Sequence, residues 1–241
     1  MIPHSIQSCI EYSVFEKEIE NNRTSDFSYS HPQLQPGIPV RIRQTAHQFL
    51  FGADLQYFNK LETKEANRFY KDLFGSLFNS ALIADRSEVA QLLFCERKGI
   101  TPCILDLADE EKLYFVFTGI QEIDPEKIQN RIRNSGKQKI NILFSFAEEI
   151  VPEEQVQMIR NLYPLFFSMK EVNGIFWKDH AVFAPILLGA LQTLIREKWQ
   201  AVFETSSDPD GQVKIRGFRG TYMASWIDCA GCERLESFRI D

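Results

Sequence analysis

The sequence predicts an α/β protein in which parallel strands are covered by helices. Short apolar runs alternate with longer amphipathic stretches, and helix start and stop residues punctuate the boundaries between them. At 241 residues, 44% of them hydrophobic, the chain can bury one sizeable core or two small ones.

Ile6, Ile10 and Val14 fall four apart and predict a first amphipathic helix ending near Asn21-Asn22. Residues 31–39, with His31-Pro32 and Pro36-Gly37, read as a loop. Residues 40–44 alternate apolar and polar side chains, and 49–53 read as a buried strand. Phe69, Leu73 and Leu77 make a helical face before Asn79, and a short apolar run follows at 81–84. Val89, Leu92 and Leu93 open a helix that has basic residues in its last turn and Gly99 as its stop. Strands are expected at 100–107 and 113–120. Asp124-Pro125 places an N-cap before proline at the first helical position, and that helix closes near Gly136. A buried strand at 139–146, a helix at 152–167, a strand at 172–177 and a long helix at 183–199 complete the alternation.

Composition excludes several partners. Net charge is −6, so no phosphate-tracking surface and no nucleic acid partner are expected. No apolar run approaches the roughly 20 residues that span a bilayer, and residues 1–6 lack a cationic stretch followed by an apolar block. The expectation is a soluble protein without a membrane partner, cytoplasmic or secreted after processing. Of the five cysteines, Cys9, Cys95 and Cys103 stand in apolar surroundings as reduced, buried thiols would. Cys229-Ala230-Gly231-Cys232 has zinc-knuckle or redox spacing without a second ligand pair, which favours a structural or incidental role over a tail disulfide or a metal shared across an oligomer. His4, His31, His47 and His180 are scattered. No nucleotide-binding glycine loop, paired-histidine motif or serine elbow occurs, so no cofactor and no metal are expected.

Val40-Arg41-Ile42-Arg43-Gln44-Thr45-Ala46-His47-Gln48-Phe49-Leu50-Phe51-Gly52-Ala53, together with Asp210-Gly211 and Arg216-Gly217-Phe218-Arg219-Gly220-Thr221-Tyr222 near the end, resembles glycoside hydrolase family 10, whose members are retaining endo-β-1,4-xylanases on a (β/α)8 barrel. Between them, Leu77-Phe78-Asn79 stands where the family's first helix closes, and Gly119-Ile120-Gln121-Glu122-Ile123 corresponds to its sixth strand. Glu153-Glu154-Gln155 with Tyr163 and Phe167-Ser168 is similar to the helix after the seventh strand, and Gly174-Ile175-Phe176-Trp177 to the eighth strand. The resemblance covers roughly residues 19–84 and 113–226.

Length limits what such a barrel can contain. The span from His47 to Trp199 is too short for eight units at roughly 30 residues per βαβ step in a fold of about 250 residues. About two units should be absent, between Ile100 and Gly119, where the fourth and fifth strands would lie. The expected fold is therefore a TIM-like (β/α) barrel shortened by about two βα units at residues 47–199. It follows an N-terminal helix and strand extension at 1–46 and precedes a C-terminal β-hairpin and tail at 200–241. Its exposed strand edges need covering by a helix or by a partner chain, for which a homo-oligomer would serve.

Retaining hydrolysis needs two carboxyl groups about 5–5.5 Å apart, one acid and one nucleophile. The family's acid comes from an Asn-Glu pair, and this chain contains none. Its nucleophile follows a threonine at the end of the seventh strand, where Leu143 and Phe144 stand here. A phenyl ring cannot attack an anomeric carbon, so both family glutamates are missing. Glu122 and Asp106, at strand ends, are the replacement candidates; Glu148 and Glu149 also follow a strand but read equally as helix-start acids. The resemblance puts His47, Gln121, Trp177 and His180 along the sugar cleft, with Trp177 able to stack on a pyranose, although Trp177 and His47 also fit a packed strand. Arg216, Phe218, Arg219 and Tyr222 read as structural fasteners of the hairpin to the barrel.

The resemblance thus implies recognition of xylan or a related β-glycan, or of xylo-oligosaccharides, without hydrolysis. An active retaining β-glycosidase with relocated carboxylates and a protein-interaction scaffold are the alternatives, and an internally deleted gene product is a third.

Overall fold

A computed structural model of the chain describes residues 13–105, 112–178 and 185–241. In chain order the elements are α1 (Ser13–Arg23), β1 (Thr24–Ser30), β2 (Pro39–His47), β3 (Leu50–Asp54), α2 (Lys64–Leu77), β4 (Ser80–Ile83), α3 (Val89–Lys98), β5 (Thr101–Ile104), β6 (Lys112–Phe117), α4 (Pro125–Asn134), β7 (Ile140–Phe146), α5 (Pro152–Ser168), β8 (Val172–Trp177), α6 (Pro185–Gln192), β9 (Val202–Ser206), β10 (Gln212–Phe218), β11 (Gly220–Ile227) and β12 (Glu233–Ile240). They divide into two compact units, one of Leu50–Arg196 with the segment up to Asn22, the other of Arg23–Phe49 and Glu197–Asp241.

The first unit is the expected α/β alternation. Its six strands are all parallel, in the order β5-β4-β3-β8-β7-β6. Local signals set its helix ends. Thr63 Oγ1 accepts from Ala66 N at the start of α2, Asp124 accepts from Lys127 N ahead of Pro125, and Gly99 takes the left-handed conformation that ends α3. The buried face of α2 is Tyr70, Phe74 and Leu77, one position away from the expected Phe69 and Leu73; Phe69 is 62% exposed. Tyr70 prevails over its neighbour because its hydroxyl reaches the Asp54 carbonyl at 3.4 Å while its ring meets Phe74. The long helix expected at 183–199 is α6, which continues as a π-helical stretch over Thr193–Lys198.

The two faces of the parallel sheet differ. Phe51, Phe115 and Phe144 point at the helices and meet Tyr163, Phe166 and Phe167 of α5. Residues of the opposite parity form an inner cluster of Leu82, Leu143 and Phe176, flanked by Leu50, Cys103 and Leu105. The Phe176 ring lies across two glycines: a Cβ on Gly52 would stand 2.6 Å from Phe176 Cε1, and one on Gly174 2.9 Å from Cε2.

This cluster requires strong curvature. In a flat sheet four steps of about 4.8 Å would set β5 about 19 Å from β7. Instead Asn141 Nδ2 of β7 lies 3.9 Å from Cys103 Sγ of β5. Lys112 Nζ, on the far edge strand, donates to the Ile104 carbonyl at 2.6 Å. Among the described residues no backbone ladder joins β5 to β6, so the sheet is curled but open.

Its open edges are capped from within. Thr101 N and Leu105 N bond toward β4, which turns residues 102 and 104 outward. Pro102 has no N–H to offer there, and the Ile104 carbonyl is taken by Lys112, which is only 5% exposed. On the other edge the Phe117 carbonyl points toward β7 and the 112 and 114 carbonyls point out. Arg131 Nη2 takes Tyr114 O at 2.8 Å and Lys137 Nζ takes Lys112 O at 3.5 Å.

The second unit packs the two-stranded sheet β1-β10 on the four-stranded sheet β12-β11-β2-β9. The tail read as one hairpin is therefore four strands, which pair with the N-terminal strands β1 and β2. Tyr29, Ile42, Val213, Tyr222, Ala224 and Trp226 form the core, with Phe27 stacked on Phe238 at 5.0 Å. Buried Gln44 uses both ends of its amide, accepting from Ala201 N and donating to the Phe218 and Arg219 carbonyls. The Arg-Gly-Phe motif holds this unit together. Tyr222 Oη donates to Phe218 O at 2.7 Å across Gly217, Arg216 pairs with Asp26 at 3.0 Å, and Arg219 Nε donates to Ser25 Oγ.

Candidate functional site

In the first unit the strand ends that would carry the family's chemistry hold no carboxylate on β7. Leu143 points inward and is sealed by Leu82 and Phe176. Phe144 points outward, edge-on to Tyr163 at 5.9 Å and stacked on Trp177 at 6.2 Å. Both side chains are buried packing residues, so neither position offers an attacking group.

Glu122 ends a 3-10 turn over Ile120–Glu122. Its carboxylate accepts Thr118 N at 2.8 Å and Thr118 Oγ1 at 2.6 Å. The Thr118 hydroxyl, then its amide, holds Glu122 below the usual carboxylate range. A general acid must instead hold its proton near neutral pH. Glu122 is an exposed turn carboxylate whose two oxygens are both engaged by Thr118. The turn is tied to α5 by Ile120 N, which donates to Glu154 Oε1 at 2.9 Å. Gln121 is exposed, its amide folded back against Gly119. Glu148 and Glu149 lie in an exposed turn after β7. Asp106 and His180 lie outside the described residues.

Trp177 is 1% exposed, its ring stacked on Phe144 and met by Phe146 at 5.4 Å, which leaves no face for a pyranose. The parity of β8 is the reason: Phe176 takes the inward position and Trp177 the helix side. His47 ends β2 in the second unit, with Gln44 Nε2 at 3.3 Å from its Nδ1 and the Phe218 ring at 5.7 Å. Gln121 belongs to the first unit.

Two inward positions escaped the sequence reading. Asp54 closes β3 on the inward parity of Leu50 and Gly52, and the alternation with Phe51 and Ala53 was the available signal. Tyr114 shares the parity of Lys112 on β6 and is 51% exposed beside Val116 at 67%. Tyr114 is the exposed aromatic of the strand layer, with its backbone carbonyl fixed by Arg131.

Burial pushes the Cys95 thiol up to about 11, while Cys229 and Cys232 are exposed free thiols in the turn between β11 and β12. Asp228 organises that turn, accepting from Ala230 N and Cys232 N and pairing with Arg234 at 2.7 Å. Among the described residues no group of three His, Cys, Asp or Glu side chains could hold a metal ion, and no helix is long and apolar enough to cross a membrane. No protein-family model matches the chain, and no curated protein matches it either.

Proposed function

We propose that this chain is a shortened relative of the family 10 barrel that recognises xylan or a related β-glycan without hydrolysing it. The strand order supports the ancestry: the sheet reads third-second-first-sixth-fifth-fourth, which is the circular order of an eight-stranded barrel with two consecutive strands removed. The observation that carries the loss of hydrolysis is the apolar seal of Leu82, Leu143 and Phe176 where a nucleophile would have to stand. Tyr114 supports binding, because an exposed ring on the inward side of an edge strand offers a platform for a sugar face. Three of the outward edge carbonyls, those of Ile104, Tyr114 and Lys112, are taken by the chain's own cations, which leaves less of the edge for a covering partner chain.

Native mass spectrometry with graded xylo-oligosaccharides tests this reading. Intact sugars bound as adducts are expected, and Tyr114→Ala should weaken them about tenfold, or about 1.4 kcal/mol. Shorter sugars accumulating in proportion to protein would restore the hydrolase reading, and no adduct at all would leave the interaction scaffold, which exposed Val116 and Phe69 favour.

A further inference from the structure

Between α2 and α3 runs a groove of about 400 Å³. Its floor is apolar, with Phe58, Ala90, Leu93 and Phe94, and Leu93 is 44% exposed. Its rim carries Arg68, Lys71, Arg97 and Lys98 against a single carboxylate, Asp72. Lys98 Nζ pairs with Asp72 at 2.9 Å and Lys71 lies over the Phe58 ring at 4.6 Å. Arg68 and Arg97 have no hydrogen-bonded partner among the described residues. Four cations to one anion is the reverse of the whole chain, whose net charge is −6. Exposed Phe69 on α2 and Val89 on α3 extend the apolar surface along the same two helices.

We infer that this groove docks an acidic amphipathic helix of a partner protein. Two helical walls with an apolar floor fit the apolar face of a third helix, and α3, at about 15 Å, matches about three turns of it. Arg68, which also feels the Asp72 carboxylate, and Arg97 would meet carboxylates flanking that face, with no hydrogen bond within the described residues to give up. A flat array of cations would select only charge. Here the apolar floor adds a demand for leucine-like side chains at helical spacing, so the recognised feature is a pattern rather than a net charge. The groove lies on the helix side of the sheet and uses no residue of the proposed glycan platform, so the two ideas stand or fall separately.

The test is fluorescence anisotropy of the full chain with a labelled helical peptide of about 15 residues, with leucines along one face and glutamates beside them. Saturable binding is expected. A scrambled peptide of the same composition and a lysine-for-glutamate peptide should each bind at least about tenfold more weakly. The doubly reversed Arg68→Glu, Arg97→Glu protein should lose at least about tenfold in affinity while keeping its thermal transition, and Leu93→Ser, a milder change at an exposed position, should weaken binding as well. The inference is overturned if the acidic peptide does not saturate, if the scrambled peptide binds as well, if the reversed protein binds undiminished, or if the same substitutions abolish binding to anionic lipid vesicles and leave the peptide unaffected.

Discussion

The residues that make this chain resemble family 10 behave differently in its two units. In the second unit they make specific contacts: Gly217 admits the Tyr222 hydroxyl to the Phe218 carbonyl, and Arg216 and Arg219 each find a partner on β1. In the first unit the positions where the resemblance would put a nucleophile are packing residues, with Leu143 in the inner cluster and Phe144 against Trp177. A motif can thus report on scaffold while saying nothing of chemistry.

The largest effect should come from placing a carboxylate at one of these positions. Phe144→Glu would bury an unpaired carboxylate between Tyr163 and Trp177, and a loss on the order of 4 kcal/mol or more is expected in urea denaturation, with no gain of hydrolysis. A soluble variant of unchanged midpoint that cleaves xylan would break the comparison. Lys112→Met comes next. It leaves the outward Ile104 carbonyl orphaned, with a cost of about 1–3 kcal/mol and increased self-association in light scattering.

In the second unit Gly217→Ala places a Cβ 2.6 Å from Tyr222 Oη and should cost about 1–3 kcal/mol. Gly189→Ala in α6, where a Cβ meets nothing within 4 Å, is the matched control, expected to stabilise by up to about 1 kcal/mol. Equal midpoints for the two variants would remove the structural reading of the Arg-Gly-Phe motif.

Alkaline titration sharpens the comparison with the smallest perturbation. Burial raises the phenol pKa of Tyr70 and Tyr163 in the first unit and of Tyr29 and Tyr222 in the second. A folded value above the unfolded one contributes stability in full below about pH 10 and loses it as pH rises further. Phenolate absorbance from these four should therefore appear only together with unfolding. Tyr163, whose hydroxyl has no hydrogen-bond partner, would break the pattern by ionising early if the α5 layer opens first.

Element order was legible because it rests on local chemistry: Asp124-Pro125 and Gly99 act as start and stop signals, and strand runs are short and apolar. The rotation of α2 was not, since Phe69 and Tyr70 adjoin and either fits a 3.6-residue period. That β7 carries no carboxylate was legible in Leu143 and Phe144, whereas the exposure of Tyr114 was not, because it depends on which strand ends the sheet. Edge caps are equally hidden, for Lys112 to Ile104 is a contact between two edge strands with no periodic signature. Trp177 illustrates a subtler limit: its neighbour Phe176 takes the inward position, and one step of parity separates a sugar platform from a core ring.

The Phe176 ring over Gly52 and Gly174 also bears on which substitutions the centre of the sheet can accept. A glutamate arriving at position 143 would still face the ring, and shrinking the ring would leave two glycines facing a void. Each change alone is penalised, and only their coincidence opens the centre of the sheet. The ring therefore works as a latch: single substitutions on either side of it are disfavoured, and the centre of the sheet accepts a polar group only through a paired change.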